Sequence, residues 1–156
     1  TKDDTPAICD RYAQQYPDIV RAIHQENGGH GEGVNQGIRN ARGVYYKVVD
    51  SDDWVDVPAL KKALDKLRQF VRDGKLVDML VCNYVYEHVE DNTQRVMHYR
   101  NVFPRNRVFG WEQIGRFRPS QYLLMHSVIY RTQLLRDCGF RYFCTFEGGK
   151  PIFHRL

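Results

Sequence analysis

The apolar pattern is clearest in residues 58–72, where Leu60, Ala63, Leu64, Leu67, Phe70 and Val71 recur at three and four residues while lysines and Asp65 take the other side. A helix is predicted there, opened by Pro58 and closed by Asp73-Gly74. A second helix is predicted from Thr5 as N-cap and Pro6 as first helical residue, through Ala7, Ile8, Tyr12 and Ala13, until Tyr16-Pro17-Asp18 breaks it. Strand-like runs follow at residues 19–24, 44–49, 77–86 and 93–99, the last two joined by a polar turn at 87–92. Between the first two runs, Gly28-Gly29-His30-Gly31-Glu32-Gly33 predicts a glycine-rich loop. Val34, Gly37, Ile38 and Ala41 then predict a helix with a small-residue face for close packing on a sheet, ended by Arg42-Gly43. Farther on, residues 111–117 suggest a short helix, 122–130 are apolar, and 132–138 are helical before Gly139. Strands alternating with helices predict an α/β sheet whose ligands gather at strand carboxyl ends.

Composition narrows this picture only slightly. With 156 residues, 42% hydrophobic and 27% charged, the chain reads as one globular domain. Its net charge of +4 is mild beside the basic stripe of a nucleic-acid binder, so no nucleic-acid partner is expected. No apolar run reaches the roughly 18 residues of a membrane span and no basic-then-apolar leader opens the chain, which predicts a soluble, cytoplasmic protein. Cys9, Cys82, Cys138 and Cys144 form no metal-ligand or disulfide pattern and read as buried thiols.

The candidate chemistry sits in Val48-Val49-Asp50-Ser51-Asp52-Asp53-Trp54, three carboxylates in four positions directly after an apolar run. Crowded carboxylates call for a cation, and magnesium or manganese bound there keeps coordination sites for phosphate. The competing reading is a solvated acidic turn ahead of the helix at Pro58. An EF-hand is excluded, because its sixth and twelfth positions would be Val55 and Lys61 instead of Gly and Glu.

Upstream lies His24-Gln25-Glu26-Asn27-Gly28-Gly29-His30-Gly31-Glu32-Gly33-Val34-Asn35-Gln36-Gly37-Ile38-Arg39-Asn40-Ala41-Arg42-Gly43. A strand, an N-G-rich loop, a helix carrying N-x-G-I-x-x-A-x-G, a strand and then D-S-D-D-W resembles the inverting glycosyltransferases of family two. The opening Lys2-Asp3-Asp4-Thr5-Pro6 is similar to the end of that family's D-D-G-S-x-D-x-T element, and Asn83, Tyr84 and Tyr86 fall where a further strand is expected. The likeness is specific from residue 1 to about 86 and looser through His126-Ser127-Val128-Ile129-Tyr130-Arg131 to Gly139-Phe140.

This resemblance implies a GT-A-like (Rossmann-like) fold, a central mixed sheet flanked by helices and incomplete at both ends. Residues 1–156 would form one glycosyltransferase-like domain, with a donor- and metal-binding part at 1–87 and an acceptor-side part at 88–156. It implies that Asp50-Ser51-Asp52 is the D-x-D motif, with Asp50 near ribose or metal, Asp52 a ligand of Mn2+ or Mg2+, and Asp53 supporting the site. Asn27, Gly28 and Asn35 match positions lining the nucleotide-sugar pocket, although turn and packing chemistry explains such residues equally well. His126 would lie on the acceptor side, a core histidine being the alternative. His24 and His30, with Glu26 or Glu32, match no established ligand spacing. The family's base follows the G-F element, yet Gly139-Phe140 is followed by no acidic pair, leaving the base unassigned with Glu147 the nearest candidate. The expected reaction moves a sugar from a nucleoside-diphosphate donor, a uridine diphosphate sugar, to a saccharide or lipid-linked acceptor with inversion. Peripheral contact with an anionic membrane and self-association are compatible partners. A nucleotidyltransferase, or a non-catalytic nucleotide-sugar-binding module, are the rival readings.

Overall fold

A computed structural model of the protein describes residues 3–119, 121–139, 145–147 and 150–152. The chain divides into two compact units, one from Thr1–Gly33 with Tyr142–Leu156 and the other from Val34–Arg141. In the first unit, helix α1 (Thr5–Gln15) begins one residue earlier than predicted, with Asp4 at the cap and Pro6 in the first turn. The Asp3 carboxylate accepts from the Thr5 amide at 3.1 Å. Residues 20–28 form no strand, and the described residues offer them no strand partner. His24 is held instead by Asp10 of α1, Nε2 to Oδ1 at 2.7 Å. A short hairpin pairs β6 (Thr145–Glu147) with β7 (Lys150–Ile152).

Helix α2 (Gly29–Asn40) starts within the glycine-rich segment that the sequence predicts to be a loop. Its start is made by local bonding. The Asn27 side-chain oxygen accepts from the Gly29 amide at 3.0 Å, and Gly29 takes φ +78°, a left-handed conformation that favours glycine. From Val34 onward α2 belongs to the second unit and behaves as its small-residue face predicts. The Tyr46 hydroxyl donates to the Val34 carbonyl at 3.2 Å and lies over Gly37, where a Cβ would collide with it. At the other end of α2, the Arg136 guanidinium donates to the carbonyls of Ile38 and Ala41, placing a cation where the helix dipole is negative.

The second unit is organised around strand β5 (Val128–Arg131). It pairs antiparallel with β1 (Tyr45–Tyr46) on one side and with β2 (Met79–Val81) on the other. Because both neighbours run opposite to β5, β1 and β2 run parallel to each other, with α3 (Val57–Arg72) as the connection between them. Among the described strands there is no directly hydrogen-bonded parallel pair. Helix α3 matches its prediction and is capped by Asp56, whose carboxylate accepts from the Ala59 amide at 2.7 Å.

The long strand predicted at 77–86 is split. Its first part is β2. After Cys82-Asn83, β3 (Tyr84–His88) leaves for a hairpin with β4 (Thr93–Met97), turning where the sequence predicts. At the break the Cys82 amide still donates to the Ser127 carbonyl at 2.7 Å, while the Asn83 side chain accepts from the Tyr99 amide at 3.2 Å. Tyr99, Val102 and Phe103 are buried there, with Val81, Tyr84, Phe109 and Ile114 packed around them. Phe103 stacks on Phe109 at 5.5 Å and meets Phe117 edge-on at 5.9 Å. Residues 111–113 form a single 3₁₀ turn in place of a helix. Helix α4 (Thr132–Asp137) follows β5 as predicted. No described helix is long and apolar enough to cross a membrane.

Candidate metal centre

The acidic segment folds as a turn. The Asp53 amide donates to the Asp50 carbonyl at 3.2 Å, which closes a four-residue turn on Asp50-Ser51-Asp52-Asp53. In such a turn the first and fourth residues come together while the middle two form the tip. Asp50 and Asp53 accordingly converge, whereas Asp52, expected as a ligand from the D-x-D pattern, is exposed and outside the group they form.

The third member is His126, 73 residues after Asp53. Its Nε2 lies 3.6 Å from Asp50 Oδ2 and its Nδ1 lies 3.6 Å from Asp53 Oδ2. These separations exceed hydrogen-bond length, so the ring faces both carboxylates without being consumed by either. One ligand atom from each of the three residues lies within 4.8 Å of the others. His126 Nδ1 is buried and has no hydrogen-bond partner. A buried ring nitrogen without a partner costs free energy, and here it is aimed at an acidic pair. Carboxylate and imidazole donors at these spacings fit a divalent ion after a small contraction, since ligand atoms about 2.1 Å from a metal lie some 3 to 4 Å apart.

His126 reaches this position through the fold. It sits in a 3₁₀ turn, Met125–Ser127, immediately before β5, and β5 pairs with β1, whose strand leads into the acidic turn. Ser127 is 1% exposed and donates to the Leu124 carbonyl at 2.6 Å, locking the turn. Lys47, between β1 and the acidic turn, donates from Nζ to the His126 carbonyl. Half-burial lowers the Lys47 pKa, while Cys82 and Asp53 act in the opposite direction. Burial raises the Cys82 thiol, so that group is a neutral neighbour. The sequence pattern gives Lys47 no role and reads Cys82 only as a buried thiol; the one available signal is a lysine inside an otherwise apolar run.

The remaining expected site residues are distributed as follows. Asn35 is buried at 6% in α2. Asn27 and Gly28 belong to the first unit, where Asn27 serves the start of α2 and a Cβ on Gly28 would lie 2.9 Å from the Glu32 side chain. Glu147 ends β6, and its side chain lies outside the described structure, as do Phe140 and residues 141–144. His24 is paired with Asp10, and Asp50, Asp53 and His126 are the one group of metal-ligand type among the described residues.

Comparison with known proteins gives the site a context. Residues 1–133 match Glycosyl transferase family 2. EpsH of Bacillus subtilis (strain 168), named as a glycosyltransferase, is 37% identical over 86 residues, which is 54% of this chain and 23% of EpsH. Glycosyltransferase GlyG of Streptococcus pneumoniae serotype 4 is 37% identical over 92 residues, 58% of this chain and 29% of GlyG. Chondroitin synthase of Escherichia coli is 37% identical over 67 residues, 43% of this chain and 10% of the synthase. The matched stretch thus spans about a quarter of EpsH and GlyG. Because the family match runs from the first residue through the acidic turn and His126 to the start of α4, the chain belongs to glycosyl transferase family 2.

Proposed function

We propose that the turn at Asp50 to Asp53, together with His126, forms the metal and diphosphate end of a glycosyltransferase. The enzyme moves a sugar from a uridine diphosphate donor to a saccharide or lipid-linked acceptor with inversion. The observation that carries this reading is the buried, partnerless His126 Nδ1 facing the Asp53 carboxylate at 3.6 Å. Family membership supports transfer as the reaction, and the chondroitin synthase match supports polysaccharide assembly as the setting. The parallel course of β1 and β2 around α3 supports a GT-A-like architecture.

Asp50, Asp53 and His126 would hold the ion. A donor set of two carboxylates and one imidazole favours Mn2+ over Mg2+, which prefers oxygen ligands throughout. When bound, the metal supplies positive charge against the leaving diphosphate. Lys47 fixes the His126 backbone and so keeps the imidazole aimed at the acidic pair. Asp52, at the turn's tip, is left to contact donor hydroxyls, and Asn35 belongs to the donor pocket in the same reading. Titration of the protein with uridine diphosphate, with and without Mn2+, tests the proposal. Affinity should rise at least tenfold with the metal, and equal affinity in both conditions would remove it.

A further inference from the structure

A second chemically distinct region lies on the Val34–Arg141 unit. Residues 94–121 contain six arginines, at 95, 100, 105, 107, 116 and 118, and a single acid, Glu112. No lysine occurs between Lys75 and Lys150, so the charge here is guanidinium throughout. Three of these arginines, Arg95, Arg100 and Arg118, line a cavity of about 470 Å³ whose wall includes no acidic residue. Among the described residues no carboxylate lies within ion-pair distance of any of the three. Three cations around one cavity repel each other, and nothing in the wall offsets that repulsion.

The wall is rigid. Gln121 donates to the His98 carbonyl at 2.8 Å and to the Asn101 side-chain oxygen at 3.1 Å. Asn101 donates back to Gln121 Oε1 at 3.2 Å, and the Arg118 amide donates to the same oxygen at 3.1 Å. This closed amide network ties the end of the hairpin to residues 118–121. Beneath it, Tyr99 lies between the cavity residues His98 and Arg100 and is 4% exposed. Its hydroxyl donates to the Tyr122 carbonyl at 2.6 Å and lies 3.2 Å from Ser127 Oγ, beside His126. His126 follows Gln121 by five residues, so the Cα atoms of these two residues, one in the cavity wall and one in the acidic site, are at most about 18 Å apart.

We propose that this cavity binds an oxyanion, a phosphate or carboxylate group, carried by the acceptor. Its role as an acceptor site rests on the transferase reading above, whereas anion binding itself does not. Guanidinium forks pair with planar or tetrahedral oxyanions through two parallel hydrogen bonds, which a lysine cannot do. The volume falls in the range of small-ligand sites, and the site is a half-open cleft whose arginines are exposed to solvent. Its distance from the acidic site suits a molecule that reaches from one to the other, with its anionic group kept away from Asp50 and Asp53.

The test is calorimetric titration in metal-free buffer, with tripolyphosphate as the phosphate probe and trigalacturonate as the carboxylate probe. At least one probe should bind, and the stronger of the two identifies the group. In the Arg95→Gln/Arg118→Gln double variant, binding should weaken tenfold or more while Mn2+-dependent uridine diphosphate binding is unchanged. Arg118→Lys, which keeps the charge but loses the fork, should weaken it about threefold. Absence of binding by both probes, or equal binding by wild type and double variant, would overturn the proposal. So would retention on phosphatidylglycerol vesicles with neither soluble probe bound, which would place a membrane surface there instead. Anion binding that persists when Mn2+-dependent nucleotide binding is absent from the wild type would overturn the transferase reading and leave the anion site standing.

Discussion

The acidic turn and the arginine-lined cavity share one compact unit, yet they are assembled in opposite ways. Asp50 and Asp53 are nearly consecutive and need only a four-residue turn to meet, with a single distant contribution from His126. Arg95, Arg100 and Arg118 are spread over 24 residues and meet through a hairpin, an aromatic core and an amide network. The first region concentrates charge in the sequence, and a cation can relieve it. The second disperses charge in the sequence and concentrates it only in space, where an anion can relieve it. A close run of like charges is therefore only one way for a chain to concentrate charge in space.

The largest effect expected from perturbing this contrast is at the core beneath the cavity. Phe103 is 8% exposed and touches Tyr99, Phe109 and Phe117. Phe103→Ala should cost about 3 kcal/mol or more in urea denaturation, in line with other large-to-small aromatic substitutions. It should weaken anion binding at the cavity more than Mn2+-dependent nucleotide binding. Equal losses at both sites would show that the two regions are not separately supported.

His126→Ala removes the one distant member of the acidic group. It should reduce Mn2+-dependent uridine diphosphate affinity at least tenfold, about 1.4 kcal/mol, with the melting temperature of the metal-free protein nearly unchanged. A core histidine would give the reverse, a drop in melting temperature with affinity preserved. Tyr99→Phe affects the link between the regions. Loss of a buried hydroxyl that donates to the Tyr122 carbonyl should cost about 1 kcal/mol of stability. Because the segment 122–126 then loses its anchor, both binding events should weaken by less than threefold.

Much of the fold was legible where structure is local. Helix α3 follows from its apolar spacing and the Asp56 and Pro58 start, and the β3–β4 hairpin follows from two strand-like runs around a polar turn. The central position of β5 was not legible. Its pairing joins Tyr45 to Arg131 and Met79 to Tyr130, and nothing in local periodicity encodes such distant register. The same limit explains the run at 77–86, which has one apolar pattern but changes partner at Cys82-Asn83. The glycine-rich segment predicts a loop, since glycine disfavours helix, yet Asn27 and the left-handed Gly29 start α2 within it.

The candidate site was legible in its acids and not in its geometry. The resemblance points to residues 50–54 and weights Asp50 and Asp52 by motif spacing, whereas the turn brings together Asp50 and Asp53. His126 was visible only as a histidine in an apolar stretch, since its approach to the acids depends on β5. Lys47 and the arginine cavity carried no compact motif at all.

The comparison of Asp53→Asn with Asp52→Asn tests the central claim most directly, by calorimetric titration of uridine diphosphate at saturating Mn2+. Removing the Asp53 charge takes away a carboxylate facing His126, and affinity should fall at least tenfold. Asp52→Asn acts at the exposed tip and should cost threefold or less. The opposite order, with Asp52→Asn the more damaging, would contradict the account.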